Sequence, residues 1–406
     1  MRVTIKPGKA IGTVAAPSSK SVAHRLLICA GLSDGESCVH GVDLNEDICA
    51  TMDCLRAMGA SCAVEDSAIR IRGIDPRKID PVEMLCCRES GSTLRFFIPL
   101  ALLCGKTVSL TGTEKLLSRP LTVYKDLCDS RGMLFEQAQK LVRVSGKMTG
   151  GIFEVPGDIS SQFITGLLFA LPLCEADSEI RIAPPVESRG YIDLTLQALE
   201  AFGICAKWRD EYTLYIPGDQ RYVPTEVTAE GDYSGAAFFA ALRAFGNDVE
   251  ITGLRSDSLQ GDKVYDDYFP QLCAGTPVLP IGNCPDLGPI LFALAAAKNG
   301  GVFTGTRRLK IKESDRAAAM AEELSAFGTE VIVNDDDVIV RTKDFHAPDR
   351  VLYGHNDHRI VMSLAVLLTL TGGSIEGAQA VRKSFPDFFE RLQSLGVEVS
   401  FYEADQ

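Results

Sequence analysis

Five charged side chains crowd into seven residues at Lys310-Ile311-Lys312-Glu313-Ser314-Asp315-Arg316, directly ahead of Ala317-Ala318-Ala319. Read as a helix start, this segment puts Lys312 and Arg316 on one face with Glu313 as immediate neighbour. A solvated helix N-terminus would account for such a charge run. The chemical reading is a cationic pair holding an anion beside a carboxylic acid tuned for proton transfer. Asp286, in Cys284-Pro285-Asp286-Leu287-Gly288-Pro289, stands at the entrance to an almost uncharged run; taken alone it reads as an N-cap, a position Asp favours. Lys20, Ser21 and Arg25 form a third group. Ser21 and Arg25 fall one turn apart on one helix face, with Lys20 at the entrance, which suits a phosphate clamp. Arg119, in Leu116-Leu117-Ser118-Arg119-Pro120, and Lys383, in Lys383-Ser384-Phe385-Pro386-Asp387, read by themselves as loop charges. His355-Asn356-Asp357-His358-Arg359 hints at metal ligands, but the other His stand at 24, 40 and 346, so no metal site is expected.

These residues share a setting. Six polar signatures each precede an apolar stretch of helical length: Ser18-Ser19-Lys20-Ser21, Ser90-Gly91-Ser92-Thr93, Ser160-Ser161-Gln162, Asp232-Tyr233-Ser234-Gly235, Asp286-Leu287-Gly288 and Asn356-Asp357-His358-Arg359. With Lys20, Gly91, Ser161, Ser234, Asp286 and Asp357 as markers, the intervals are 71, 70, 73, 52 and 71 residues. A period of this length marks a repeated supersecondary unit. Glycines at 59, 132, 203, 275, 328 and 396 repeat in a second register and close amphipathic runs. Several are followed by alternating segments such as Ala68–Arg72 and Tyr212–Ile216, which read as short strands with one buried face. Each unit is thus predicted as strand–helix–strand–helix–strand–strand. The unit around Gly275 is short and leaves little room for a terminal hairpin. Helix N-termini present unpaired N–H groups, so several gathered together would suit an anionic ligand.

Bulk properties set bounds. A chain of 406 residues exceeds one ordinary core, and six units divide into three and three. A formal net charge of −13 argues against generic nucleic-acid binding, so any anion site must be a local concentration of Lys and Arg. No run has the apolar length to span a bilayer, and Met1–Ile5 reads as a strand instead of a signal peptide. Thirteen Cys without a C-x-x-C pair read as reduced core thiols of a cytoplasmic protein. A monomer is expected.

In order along the chain, ten motifs resemble those of the 5-enolpyruvylshikimate-3-phosphate (EPSP) synthase family. They are Pro17–Arg25, Ser90–Arg95, Leu117–Leu121, Gly157–Phe163, Glu187–Tyr191, Glu230–Asp232, Pro285–Leu287, Lys312–Arg316, Asn356–Arg359 and Lys383–Asp387. Any one is weak; ten on the repeat lattice are specific. The resemblance implies an α/β, two-domain enolpyruvyl transferase fold, each domain three βαβαββ units with buried parallel helices. One domain would comprise 1–18 plus 231–406 and the other 19–230, closing over two small-molecule substrates. The implied reaction adds the 5-hydroxyl of shikimate 3-phosphate to C2 of phosphoenolpyruvate, protonates C3 and then expels phosphate, without metal or organic cofactor. Shikimate 3-phosphate would be held by Ser21, Arg25, Ser160, Ser161, Gln162, Ser188, Tyr191 and Lys312. Phosphoenolpyruvate would be held by Lys20, Gly91, Arg119, Gln162, Arg316, Arg359 and Lys383. Asp286 would take the hydroxyl proton and Glu313 would protonate the methylene carbon. Gly91 is where alanine hinders the inhibitor glyphosate in the family, which implies sensitivity here.

The chain departs from the pattern in places. Ser18 stands where many relatives have Gly, Gly190 replaces a frequent Pro, and Arg308 occupies a position where some relatives use Asn on the shikimate ring, a role not carried over. Two other readings compete. Enolpyruvyl transfer to UDP-N-acetylglucosamine is disfavoured because Gly112–Ser118 lacks the reactive Cys of that family. A non-catalytic repeat protein that binds anionic metabolites would have no use for both Asp286 and Glu313.

Overall fold

The computed structural model describes residues 1–65, 68–79 and 84–402. It divides into two compact units, Ser18–Glu230 and Met1–Pro17 with Gly231–Gln406. The division falls one residue before the expected 18/19 boundary.

In the first unit, helices α1 (Lys20–Gly31), α3 (Gly91–Leu103) and α5 (Ser161–Ala170) are apolar and almost wholly buried. They alternate with the half-buried α2 (Glu46–Ala57), α4 (Thr122–Ser130) and α6 (Arg189–Ala201). The same alternation continues in the second unit. There α7 (Tyr233–Ala244), α9 (Gly288–Ala297) and α11 (His358–Thr371) are the buried helices. Helices α8 (Tyr265–Ala274), α10 (Arg316–Ser325) and α12 (Phe388–Ser394) are the amphipathic ones. A helix apolar on every side is stable only inside a core, which is why each unit folds around its three odd-numbered helices.

Three four-stranded sheets surround the first unit. In the second repeat, Met84–Cys86 lies parallel to Val108–Thr111, which pairs antiparallel with Val142–Ser145, and Leu134–Gln137 forms the edge. The third repeat has the same order with Gly151–Pro156, Ser178–Ala183, Thr213–Ile216 and Lys207–Trp208. The first repeat borrows its opening strand from far downstream: Glu226–Thr228 pairs parallel with Glu36–His40. The other unit borrows twice. Ile11–Ala15 opens the fourth repeat by pairing parallel with Asp248–Thr252. Arg2–Ile5 completes the sixth, lying between Gly373–Glu376 and Val399–Tyr402.

The short fourth interval has the structural outcome the spacing predicts. Its sheet has two strands, and the chain passes from α8 straight to Val278–Pro280 of the next repeat. Gly59, Gly132, Gly203, Gly328 and Gly396 take φ between 65° and 105° and turn the chain back into a hairpin strand. Gly275 has an extended φ of −179° because no hairpin follows it.

The thiol expectation needs correction. All thirteen Cys are free, but Cys86, Cys205 and Cys273 are exposed and only six are buried. Cys86 ends an edge strand and points outward, while its neighbour Cys87 points inward, as strand alternation requires. Among the described residues no helix is long and apolar enough to cross a membrane.

Candidate active-site residues

In the unit of Ser18–Glu230 the polar signatures lie at helix starts. Ser19, Ser90 and Ser160 are the N-caps of α1, α3 and α5, each accepting a backbone N–H with its hydroxyl. Lys20, the first residue of α1, pairs with Asp47 at 2.8 Å. Arg25, one turn further, is buried and heavily committed to the protein. Its Nε donates to Thr195 Oγ1 at 2.9 Å, Nη1 to the Ser21 carbonyl at 2.6 Å, and Nη2 to the Tyr191 carbonyl at 2.9 Å and Thr165 Oγ1 at 3.4 Å. Of its five N–H groups only one on Nη1 remains for a ligand. Burial pushes the guanidinium down to about 10, so the loss of water is only partly made good by these neutral acceptors.

Gln162, in the first turn of α5, spans to α3: its Oε1 accepts from Arg95 Nη1 at 2.7 Å and its Nε2 donates to Ser92 Oγ at 2.8 Å. Arg95 lies over the Phe163 ring. Sequence reasoning included Arg95 as the last residue of the Ser90–Arg95 motif but gave it no role, because an Arg inside an apolar run does not show what it faces. Gly91 packs against two guanidinium groups: a Cβ there would lie 2.7 Å from Arg119 Nη1 and 3.1 Å from Arg95 Nη1. Arg119 follows the short helix Glu114–Leu117, where Gln137 holds the Leu117 and Arg119 carbonyls. Its Nε is buried and has no hydrogen-bond partner among the described residues, so this N–H lacks an acceptor. Ser161 begins α5, and Ser188 precedes α6 in a left-handed conformation with φ 56° and no capping bond. Tyr191 contributes its carbonyl to Arg25 and sets its ring 6.0 Å from the guanidinium carbon.

The other unit gathers carboxylates and cations at the starts of α9, α10 and α11. Asp286 does not cap α9, contrary to the bland reading; Leu287 occupies the cap position without a side-chain bond. Both Asp286 oxygens face cations instead. Oδ1 accepts from Arg316 Nη1 at 2.7 Å and lies 3.2 Å from Lys312 Nζ, while Oδ2 accepts from Arg359 Nη2 at 3.3 Å. Burial alone would push this carboxyl up, but Arg359, Lys312 and Arg316 together hold it well below the usual carboxylate range.

The shared helix face expected for Lys312 and Arg316 is not formed. Helix α10 starts at Arg316 with Asp315 as its N-cap, and Lys312 is extended. The Asp315 side chain accepts from Ala318 N at 3.1 Å and so stops the helix from reaching further back. The two cations meet at Asp286 by different routes. Arg316 is the hub. Besides Asp286 it donates to Glu313 Oε2 at 2.6 Å and to Asp357 Oδ2 at 2.9 Å. Asp357 is fully buried and also caps α11 through the Arg359 N–H at 2.9 Å. Lys383 donates to the Asn356 carbonyl at 2.9 Å, and Arg308 to the Gly282 carbonyl at 3.3 Å. Arg359 Nε is buried without a hydrogen-bond partner among the described residues.

Asp262 is a further member that spacing did not flag, since it sits in the shortened repeat. Its carboxyl accepts from Ser234 Oγ and bears electrostatically on Asp286 and Arg359. In this unit Lys312, Arg316 and Arg359 are therefore balanced by Asp286, Glu313 and Asp357, acids that an anionic ligand must outcompete.

One cluster among the described residues has metal-ligand chemistry: Glu322, Glu323 and His355. Glu323 is already engaged by Arg350 at 2.8 Å, His355 at 2.9 Å and the Tyr353 N–H at 3.1 Å, which satisfies it as a buried carboxylate without an ion.

Six repeated units around buried helices, with cationic and hydroxyl side chains near the helix starts, are the architecture of the enolpyruvyl transferase class. Among solved structures the fold is similar to EPSP synthase from Acinetobacter baumannii, with TM-score 0.79 and 24% identity over 98% of this chain and 100% of that one. It is also similar to the enolpyruvyl transferase NikO from Streptomyces tendae, with TM-score 0.81 and 14% identity over 100% of this chain and 99% of that one.

Residues 5–392 match the family described as EPSP synthase (3-phosphoshikimate 1-carboxyvinyltransferase), and the chain belongs to that family. It is 39% identical to the 3-phosphoshikimate 1-carboxyvinyltransferase of Clostridium kluyveri over 98% of both chains. To that of Clostridium perfringens it is 38% identical, over 97% of this chain and 98% of the other.

Proposed function

We propose that this protein transfers the enolpyruvyl group of phosphoenolpyruvate to the 5-hydroxyl of shikimate 3-phosphate and releases phosphate, a step of aromatic amino acid biosynthesis. The observation that carries this reading is the Asp286 carboxylate clasped by Lys312, Arg316 and Arg359, with Glu313 on the same Arg316. Ser21, Arg25, Ser160, Ser161, Gln162, Ser188, Tyr191 and Lys312 would bind shikimate 3-phosphate. Lys20, Gly91, Arg119, Gln162, Arg316, Arg359 and Lys383 would bind phosphoenolpyruvate. Arg119 and Arg359 support the second assignment, because each has a buried Nε awaiting an acceptor.

Anionic ligands at Lys312, Arg316 and Arg359 would loosen the cations' hold on Asp286 and raise its basicity, so that it can take the hydroxyl proton. Glu313, held by Arg316, would deliver a proton to C3 of phosphoenolpyruvate. Addition gives a tetrahedral adduct with a C3 methyl group; the C–O bond to phosphate then breaks as C3 returns a proton to the Glu313 carboxylate, which restores C=CH2 in the product. We place the enzyme in the cytoplasm as a monomer.

A coupled phosphate-release assay tests the reading: activity should require shikimate 3-phosphate and phosphoenolpyruvate together. Turnover with UDP-N-acetylglucosamine in place of shikimate 3-phosphate would overturn it. Gly91→Ala should displace the Arg119 and Arg95 guanidinium groups, which are flexible enough for the fold to survive. We expect KM for phosphoenolpyruvate to rise on the order of tenfold and glyphosate inhibition to weaken by orders of magnitude, with KM for shikimate 3-phosphate unmoved. Unchanged inhibition would remove Gly91 from the phosphoenolpyruvate contacts.

A further inference from the structure

Asp262 belongs to neither the repeated signatures nor the proton-transfer pair, yet it lies in the same polar cluster. It sits in the helical turn Gly261–Val264 that leads into α8, and it is 1% exposed. Ser234, in the first turn of α7, donates its hydroxyl to Oδ2, while Oδ1 is buried with no hydrogen-bond partner among the described residues. The charged and titratable groups that bear on it are Asp286 and Cys284 ahead of α9, Arg359 at the start of α11 and Asp232 at the start of α7. Arg359 is the sole cation of this set, and it also serves Asp286. An ionised carboxylate with one unsatisfied oxygen, and only a through-space attraction to a cation already paired with Asp286, is poorly compensated. Burial, reinforced by the Asp286 charge, pushes the Asp262 carboxyl up to about 7.

We propose that Asp262 is a positioning residue that controls whether Arg359 can accept an anionic ligand: protonated, it leaves the guanidinium to the ligand; ionised, it competes for the guanidinium and repels the incoming anion. The proposal rests on the reading that Arg359 binds phosphoenolpyruvate. It adds that affinity for this ligand falls as Asp262 loses its proton, which gives the enzyme a pH response near neutrality without any histidine.

The test is KM for phosphoenolpyruvate between pH 5.5 and 8.5 in the full-length protein, for wild type, Asp262→Asn and Ser234→Ala. If only the protonated form binds, a carboxyl titrating at about 7 raises KM about tenfold between pH 6 and pH 8. Asp262→Asn has no proton to lose, so its ratio of KM at pH 8 to KM at pH 6 should fall about tenfold below that of wild type. Phosphoenolpyruvate's own titration is common to all three proteins and cancels when their ratios are compared. Ser234→Ala removes a donor that favours the ionised form and should move the break to higher pH. A merely structural Asp262 would change KM by one factor at every pH and leave the break in place, which overturns the proposal. Should thermal melting show Asp262→Asn unfolded, the Ser234→Ala break decides: a shift upward supports the proposal and an unmoved break rejects it. Absence of wild-type turnover would instead count against the proposed reaction. In that case calorimetry with inorganic phosphate at pH 8 decides, proton uptake in wild type but not in Asp262→Asn being the supporting result and equal uptake the opposing one.

Discussion

Replacing Asp286 with alanine is expected to cut turnover by about two to four orders of magnitude while phosphoenolpyruvate binds at least as tightly as before. The loss follows from removing the proposed general base, whose contribution is typically of that size. The affinity follows from electrostatics. In the free protein this carboxylate neutralises Lys312, Arg316 and Arg359 at 2.7 to 3.3 Å. Its removal leaves three cations open to the ligand's phosphate and carboxylate. Glu313→Ala should lose a similar factor in turnover but gain less affinity, because Glu313 pairs with Arg316 whereas Asp286 contacts all three cations. Steady-state kinetics with both substrates varied distinguishes the cases. Turnover within tenfold of wild type would remove either residue from proton transfer, and a large rise in KM for Asp286→Ala would contradict the electrostatic argument.

Arg316→Ala should be the most destabilising single change in the cluster, by about 3–5 kcal/mol, the usual cost of stripping the partner from a buried ion pair. Arg316 is 1% exposed, and it holds Asp286, Glu313 and the fully buried Asp357. Burial opposes ionisation of Asp357, but Arg316 outweighs it and keeps the carboxyl lowered, as it helps to do for Asp286. Carboxyls lowered on folding stabilise the protein above their unfolded pKa, and that stability is lost as pH falls through the folded values. The gap between wild type and variant should therefore be full at pH 7 and shrink from about pH 4 downward. Urea midpoints at the two pH values give the comparison. A deficit under about 1 kcal/mol, or one that persists in acid, would show that Arg316 is not the hub.

The starts of five of the six buried helices were legible because two local signals coincide there: a Ser or Asp that accepts a backbone N–H, and an apolar run too long for a strand. Lys20, Gly91, Ser161 and Tyr233 begin their helices directly after such a residue. The proton-transfer cluster was only half legible. Its cations stand out as charges beside apolar helices, whereas their counter-carboxylates are fixed by tertiary placement. Asp357 looks like any N-cap until Arg316 is seen to reach it from a different helix. Asp262 lies where the lattice breaks, so no register pointed to it. The Lys312–Arg316 face failed because four-residue spacing implies proximity only inside a helix, and the Asp315 cap delays the helix until Arg316. The borrowed strands were hidden for a similar reason. Strand pairing between Ile11–Ala15 and Asp248–Thr252 spans more than two hundred residues and leaves no mark in either segment.

That borrowing has a consequence for biogenesis. Ser18–Glu230 contains every strand of its own sheets, so it can complete itself as soon as Glu226–Thr228 leaves the ribosome. Arg2–Ile5 has to wait far longer: it is an interior strand whose partners, Gly373–Glu376 and Val399–Tyr402, are made more than about 360 residues later. Until those partners emerge Arg2–Ile5 is an unpaired β-strand, open to wrong pairing with other chains.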